Sequence, residues 1–548
     1  MNSGRRYLVW SALLSLWLSS ALLQSQDLSL PQRVHRYFHP DIVKVEAVQG
    51  LNERISDGKL HLHLKDFLEL VMKNSADIRI SRLDVYTASD QIIAAKAPLD
   101  PLLTGGFNTQ RVVSPQYNET IGAETLSNLT QISTLNYQQV LPTGQTVTAN
   151  FTGTRTSANS AFYFFNPNIF TGLNFSVMQP LVRDFNRIQL RGPLEIARTD
   201  LLISSDSSAA QIADLLANAA GQYWDAIRAR DFIGVQQQSV NLAQKSFERD
   251  KKALDLGALG KLDIYQSQTQ VAERSRDLVA AQYNYQGALD GLRRLIGADL
   301  TPQMRNTDIV LEDDPAVLPP ETILPFEEAI RKATASRPEL HAAQQRINVD
   351  DLNARIARNL LLPRLDLSVG GGSTGLGGDS VPAPGIPSTS ANTGLGDALR
   401  QTFSYTYPSY GFGLQFTLPL RNSLGQAALS DALVNRVRDQ YQERRTEQQI
   451  ILDVRQAIRN IELAKATIEA SIHARDIAKL NVDAEQKKYE LGSNTAFEVL
   501  DSQNRLASAE SFLLTAYVGY QQAYVSYQRA TWTLFDSLGI VLEMPKSH

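Results

Sequence analysis

The chain has 548 residues, 43% of them apolar and 20% charged, enough to bury an extensive core and too apolar for intrinsic disorder. Lys and Arg total 53 against 57 Asp and Glu, a net charge of −4 that argues against nucleic acid as the main partner. Cysteine is absent, which excludes disulfides, thiolate metal sites, a cysteine nucleophile and a lipidated cysteine.

In chain order, Arg5 and Arg6 precede an apolar stretch from Tyr7 to Leu23 followed by small residues. This predicts a signal peptide over residues 1–25, the other reading being a single membrane anchor. No later segment has 18 consecutive apolar residues, so no other helix is predicted to span a membrane. Residues 26–59 form an N-terminal extension of unknown structure. His61 and His63 alternate with Leu60, Leu62 and Leu64; two histidines make no metal site, and a solvated strand is the expectation.

The rest of the chain is a tandem duplication. Shifted by 235 positions, residues 229–288 align with 464–523 without a gap, with 14 of 60 identical, including Leu256-Gly257 with Leu491-Gly492 and Ser267-Gln268 with Ser502-Gln503. Upstream the offset is 262, pairing Leu64 with Phe326 and Pro101 with Pro363, so the first half carries about 27 additional residues between its front and back parts. The first repeat, 60–302, reads as a short helix, strands over about 101–181 and a long helical hairpin over about 193–297. A linker, 303–322, leads to the second repeat, 323–540, with a short helix, strands over about 363–420 and a hairpin over about 425–538; a tail, 541–548, follows.

Proline spacing carries the helices: none occurs between Pro193 and Pro302 or between Pro419 and Pro545. Both stretches are rich in Ala, Gln, Leu, Arg and Glu, and each has a glycine at the matched position, Gly257 and Gly492, where the hairpins are predicted to bend. Arms of this length imply coiled-coil packing, and the Gln-, Ser- and Asn-interrupted seams fit either a solvated outer face or a face lining water.

Alternation with period two carries the strands. Tyr410, Phe412, Leu414, Phe416, Leu418 and Leu420 alternate with small or polar residues, as do Leu173, Phe175 and Val177, and Leu365, Leu367 and Val369. The pattern suits membrane-barrel strands, and equally a half-buried sandwich. Residues 370–400 read as a flexible Gly/Ser/Pro-rich loop. Residues 133–141 and 145–156 flank Leu141-Pro142-Thr143-Gly144-Gln145 as a further alternating pair, either a hairpin outside a membrane or two more barrel strands.

Over about residues 60–540 the sequence resembles the TolC family of outer-membrane efflux proteins. The likeness is carried by Lys488-Tyr489-Glu490-Leu491-Gly492, Phe497-Glu498-Val499-Leu500-Asp501-Ser502-Gln503 and Gln179-Pro180-Leu181-Val182-Arg183. It implies an α+β membrane protein, a homotrimeric transmembrane β-barrel continued by a long α-helical coiled-coil tunnel across the periplasm. It also implies an exit channel of a tripartite efflux or type I secretion system in the bacterial outer membrane. Such a channel is a passive conduit in contact with outer-membrane lipid, opened by a periplasmic adaptor and an inner-membrane transporter. By the same resemblance Glu498 and Asp501 match the acidic ring of the channel entrance. Asp263, the repeat equivalent of Glu498, and Tyr489 match contacts that close the gate, where Asn494 replaces an expected basic residue. Helix-dipole complementation by acids near a helix start is the competing account of Glu498 and Asp501. No catalytic, cofactor-binding or metal-binding motif is found, and no enzyme activity or nucleic-acid binding is expected. The alternative function is a soluble periplasmic coiled-coil adaptor or scaffold with a small β domain.

Overall fold

The computed structural model describes residues 44–115, 125–159, 165–185, 187–256, 260, 263–302, 304–319, 323–380, 393–491 and 493–540. The expected signal peptide, Gly257, Gly492 and the tail 541–548 lie outside the described residues. Residues 1–49 separate from Gly50–His548, and the architecture below is that of the second unit.

A small sheet opens it. Strands β1 (Ile55–Ser56) and β2 (Lys59–Leu62) form an antiparallel hairpin, followed by helices α1 (Leu64–Asn74) and α2 (Ala76–Lys96). Four antiparallel strands then run in sequence: β3 (Leu102–Pro115), β4 (Thr125–Val140), β5 (Thr146–Ala158) and β6 (Phe165–Pro180). Helix α3 (Ile188–Asp255) and helix α4 (Asp263–Ile296) make the first long hairpin. Strand β7 (Asp308–Leu311) joins β2 in parallel register, Leu60 beside Ile309. The second half repeats the plan with α5 (Phe326–Ser336), α6 (Pro338–Leu360), β8 (Arg364–Ser380), α7 (Leu395–Phe403), β9 (Tyr407–Thr417), α8 (Ser423–Glu490) and α9 (Ala496–Ala530), and ends in α10 (Leu534–Leu538).

The element bounds carry the two sequence offsets. Helices α1 and α5, and the starts of α2 and α6, stand 262 positions apart; α3 and α8 stand 235 apart at both ends. At about 1.5 Å per residue, α3 and α8 are each roughly 100 Å long. Low helix-breaker content permits this length, and burial of alanine-rich seams against neighbouring helices stabilises it, with Ile212, Leu216, Ala220 and Ile227 on α3 fully buried.

Four differences from the sequence reading stand out. The first long helix begins five residues before Pro193, which sits close enough to the helix start to be accommodated. Two short helices, not one, precede the strands of each half, because Ser75 and Arg337 take extended conformations between them. The linker 303–322 contains β7, which pairs with β2, and the end of the extension supplies β1, which pairs with β2 on its other side. Finally, residues 370–400 are not simply a loop: β8 runs through the glycines to Ser380, and α7 packs on the sheet. The glycines make that packing possible, since a Cβ at Gly375 would overlap the Ala398 carbonyl. Thr402 and Thr171 exchange a hydrogen bond of 2.7 Å beneath the helix, and Phe403 stacks on Phe151 at 6.3 Å.

The large sheet has the order β3-β4-β5-β6-β8-β9. Its register sorts side chains onto two unlike faces. Phe107, Leu135, Phe151, Leu173, Val369 and Phe412 belong to one face; Asn108, Asn136, Asn150, Asn174, Ser368 and Gly413 belong to the other. The apolar face is largely uncovered: Tyr410 is 92% exposed and Phe412 81%. Among the described residues no helix is long and apolar enough to cross a membrane.

The small sheet is held by charge as well as by its ladder. His63 Nε2 lies 2.7 Å from Glu312 Oε2, and its Nδ1 lies 3.0 Å from Asp313 Oδ1. His61 Nδ1 reaches Glu312 Oε1 at 2.7 Å. Tyr223 of α3, fully buried, places its hydroxyl 2.7 Å from Asp313 Oδ2, and Arg230 donates to the Leu311 and Asp313 carbonyls. The histidines are therefore paired with carboxylates on the neighbouring segment. A neutral imidazole has one donor, whereas His63 faces carboxylate oxygens with both nitrogens, so the arrangement favours the imidazolium. The hydrogen bond to Asp313 pushes its pKa above 6.5, burial opposes this, and the charges of Asp313, Glu312 and Asp66 add to the rise. With a raised folded-state pKa, the stabilisation is complete below 6.5 and is lost as pH climbs through the folded value. Its size is under about 1 kcal/mol at this exposure. We expect the thermal midpoint to fall as pH rises above 6.5, and His63→Gln to flatten that dependence; an unchanged slope in the variant would exclude His63 as its source.

Candidate channel entrance

The two long hairpins come together at the ends distal to the sheet, where α3 and α8 terminate. Asp250, near the end of α3, is 1% exposed and accepts two hydroxyls: Tyr489 of α8 donates to Oδ1 at 3.1 Å, and Ser267 of α4 donates to Oδ2. Arg249 supplies a cation, its Nε 3.7 Å from Asp250 Oδ1 and its guanidinium 4.4 Å above the Tyr489 ring. A carboxylate this deeply buried costs several kcal/mol unless such partners are present. The cluster ties three helices to one side chain. One turn away, Gln503 of α9 donates to Ser246 of α3 at 3.4 Å, both side chains buried.

The residues singled out in the sequence fall around this cluster in different ways. Tyr489 belongs to it. Asp263 is the first residue of α4, but its side chain lies outside the described residues, and the aspartate that receives Tyr489 within the chain is Asp250. Asn494 stays within its own hairpin: its amide donates to Glu485, which also pairs with Lys488 at 2.8 Å. Glu498 closes a capping box at the start of α9, its carboxylate accepting the Thr495 amide at 3.1 Å while the Thr495 hydroxyl accepts the Glu498 amide at 3.4 Å. Asp501 pairs with Arg505 one turn on, at 2.9 Å. Within one protomer, then, Glu498 fulfils the helix-start role that the sequence left open for it. Both its carboxylate and that of Asp501 remain at the surface.

Asp250 and Glu485, the acceptors at the two hairpin ends, were not selected from the sequence. The signal was present: the 235-residue offset that aligns the glycines also aligns these two acids, each seven positions before its glycine.

The comparisons with known proteins agree with this architecture. Residues 329–531 match the family model described as outer membrane efflux protein. The outer membrane protein TolC of Escherichia coli is 23% identical over 325 residues, which cover 58% of this chain and 62% of TolC, so the match spans less than two thirds of that relative's length. The outer membrane efflux protein BepC of Brucella suis is 20% identical over 487 residues, 87% of each chain. Among solved structures, the Campylobacter jejuni CmeC outer membrane channel superposes with a TM-score of 0.60 at 15% identity, covering 90% of this chain and 94% of CmeC. The fold is that of the TolC-like channels. The match of residues 329–531 to the outer membrane efflux protein family and the likeness to TolC, BepC and CmeC support an outer-membrane channel over a soluble adaptor or scaffold.

Removing the shared acceptor should loosen the hairpin ends more than removing one donor. Asp250→Ala should accelerate hydrogen exchange over residues 485–490 by the equivalent of about 1–3 kcal/mol, and Tyr489→Phe by about 1 kcal/mol. Equal, unchanged exchange in both variants would show that this cluster does not hold the ends together.

Proposed function

We propose that three copies assemble into a transmembrane barrel continued by a helical tunnel, forming the passive exit duct of a tripartite efflux or type I secretion system. The observation that carries the reading is the pairing of a sheet whose one face is apolar and uncovered with helical hairpins of roughly 100 Å, long enough to cross a periplasmic gap. Lipid satisfies the apolar face, and closure of the sheet satisfies its edges. The duct does no chemistry and holds no energy source, so a periplasmic adaptor docks at the hairpin ends and an inner-membrane transporter drives export.

In this reading the hairpin ends close the tunnel. Tyr489 and Asp250 form the latch, with Asp263 and Asn494 beside it and the bends at Gly257 and Gly492 as the points about which the ends move. Glu498 and Asp501, three apart on one helix, become six carboxylates around the threefold axis, a cation-attracting ring. The Asp501–Arg505 pair is exposed and weak enough to be exchanged for a bound cation.

Two measurements test the proposal. Light scattering of the detergent-solubilised protein should give three chains per particle, with mixed helix and sheet by circular dichroism; a stable solubilised monomer would overturn the assembly. In planar bilayers the conductance should be small, cation-selective and blocked by multivalent cations. Glu498→Gln with Asp501→Asn should abolish the block with trimer yield unchanged, since hydrated carboxylates carry little folding energy. Wild-type block in the double variant would return both residues to helix-start charges on an outer face.

A further inference from the structure

The outermost strands of the large sheet, β3 and β9, each pair on one side only. Ladder partners trace one level across it: Leu102 stands beside Gln138, which is followed by Thr148, Ser176, Gly370 and Gly411. Strand β3 starts at that level, whereas β9 continues six residues past it, from Gly411 to Thr417, toward the helices. The border of the sheet that meets the helices thus steps along the strand direction by six residues between its two outer strands. Such a stagger is the shear that a barrel needs to close.

The extra strands of the first half share in it. Strands β4 and β5 are as long as their neighbours, keep the same apolar and polar faces, and turn back at Gly144, where a Cβ would lie 3.5 Å from the Arg187 side chain just before α3. Their turn is therefore at the helical end of the sheet, and the pair spans its height.

We infer that β3 of one copy pairs with β9 of the next, closing a barrel of 18 strands in which β4 and β5 are wall. This rests on the trimer proposed above. The six strands alternate in direction, so β3 and β9 run oppositely and the seam is an ordinary antiparallel pair. With the seam itself adding a step of zero or two residues, three copies give a total shear of about 18 to 24. At ~3.3 Å per residue and ~4.8 Å between strands this tilts the strands by roughly 35–43°, within the range of outer-membrane barrels. The backbone-to-backbone width is roughly 36 Å, about half as wide again as a twelve-stranded barrel of the same tilt. The barrel is then no constriction, and passage is limited at the hairpin ends.

The absence of cysteine makes the test direct. A step of six places Ser409 of one copy opposite Gln110 of the next; a step of eight places it opposite Val112. Ser409→Cys is combined with Gln110→Cys, and separately with Val112→Cys, and outer membranes carrying each pair are oxidised and boiled in SDS without reductant. One of the two pairs should give a covalent ladder ending at three chains, with every single-cysteine variant monomeric on the gel. No ladder from either pair, with three chains per particle by light scattering, would overturn the seam and leave the trimer standing. A ladder ending at two chains would overturn the 18-stranded count, and a monomeric wild-type particle would remove the trimer beneath it. A second arm examines the wall: a membrane-impermeant maleimide should label Asn150→Cys from the lumen and spare Ala149→Cys against lipid. Equal labelling would place β4 and β5 outside the barrel.

Discussion

A sheet with two open edges and one bare apolar face is not a stable object in water, and this requirement organises most of the chain. Each ladder group left unpaired in a membrane costs several kcal/mol, and each uncovered Phe or Leu forfeits roughly 1.5–3 kcal/mol relative to burial. The proposed trimeric barrel would meet all three demands together, with lipid on one face, water on the other and a second copy at each edge. The residue pattern suits that arrangement: Phe107, Leu135, Phe151, Leu173 and Phe412 share one face, and Asn108, Asn136, Asn150 and Asn174 share the other. Among the described residues α7 lies on that face, admitted by the glycines of β8, which let a helix backbone approach the strand directly.

The duplication sets the scaffold, and its departures from symmetry hold the specific chemistry. Matched helices begin at positions 262 or 235 apart, so each half builds the same packing of a long helix against shorter ones. A charged cluster of the second half then reaches across to the first through the ion pair of Arg529 with Asp214. Arg529 of α9 bridges Asp214 of α3 at 2.5 Å and Glu339 of α6 at 2.6 Å; Arg337 adds Glu339 and Asp453 at 2.8 Å. Burial alone would raise the Glu339 pKa, but the two guanidinium groups overcome it and hold the carboxyl down to about 2. The first half differs chiefly in inserting a hairpin into the sheet, and that accounts for the change of offset.

Much of this was legible in the sequence because it rests on periodicity and on proline. Alternation placed the strands around Phe175, Val369 and Phe412, and the Pro-free runs placed the long helices. What was hidden depends on three-dimensional neighbours. The glycines 370–378 read as a flexible loop because glycine lacks β propensity, yet here they are strand residues chosen for close approach. Alternation around His61 and His63 signalled the strand at 59–62, but its parallel partner at 308–311 is too short to signal one and forms only by pairing across the chain. The resemblance brought Tyr489 and Asp263 forward as gate contacts; Asp250, one acid in a charged run of a helix, carries no local mark of being buried, and only the repeat register points to it.

In the proposed channel, Asp250 would account for hairpin ends that stay shut without help. A buried carboxylate holding two hydroxyls and lying beside a guanidinium loses several kcal/mol if its donors leave before water replaces them. In a trimer this cost arises three times, on the order of 5–10 kcal/mol in all, which leaves the open form well below one part in a thousand by population. A docking partner of the proposed duct would open it only by binding the open arrangement more tightly by a comparable amount. The same geometry makes that feasible: Tyr489 and Ser267 approach Asp250 from α8 and α4, so moving either hairpin end brings water to the carboxylate, and each step of opening lowers the cost of the next. Such a latch would be strong against fluctuation and weak against a displacement imposed from outside, as the proposed passive conduit requires.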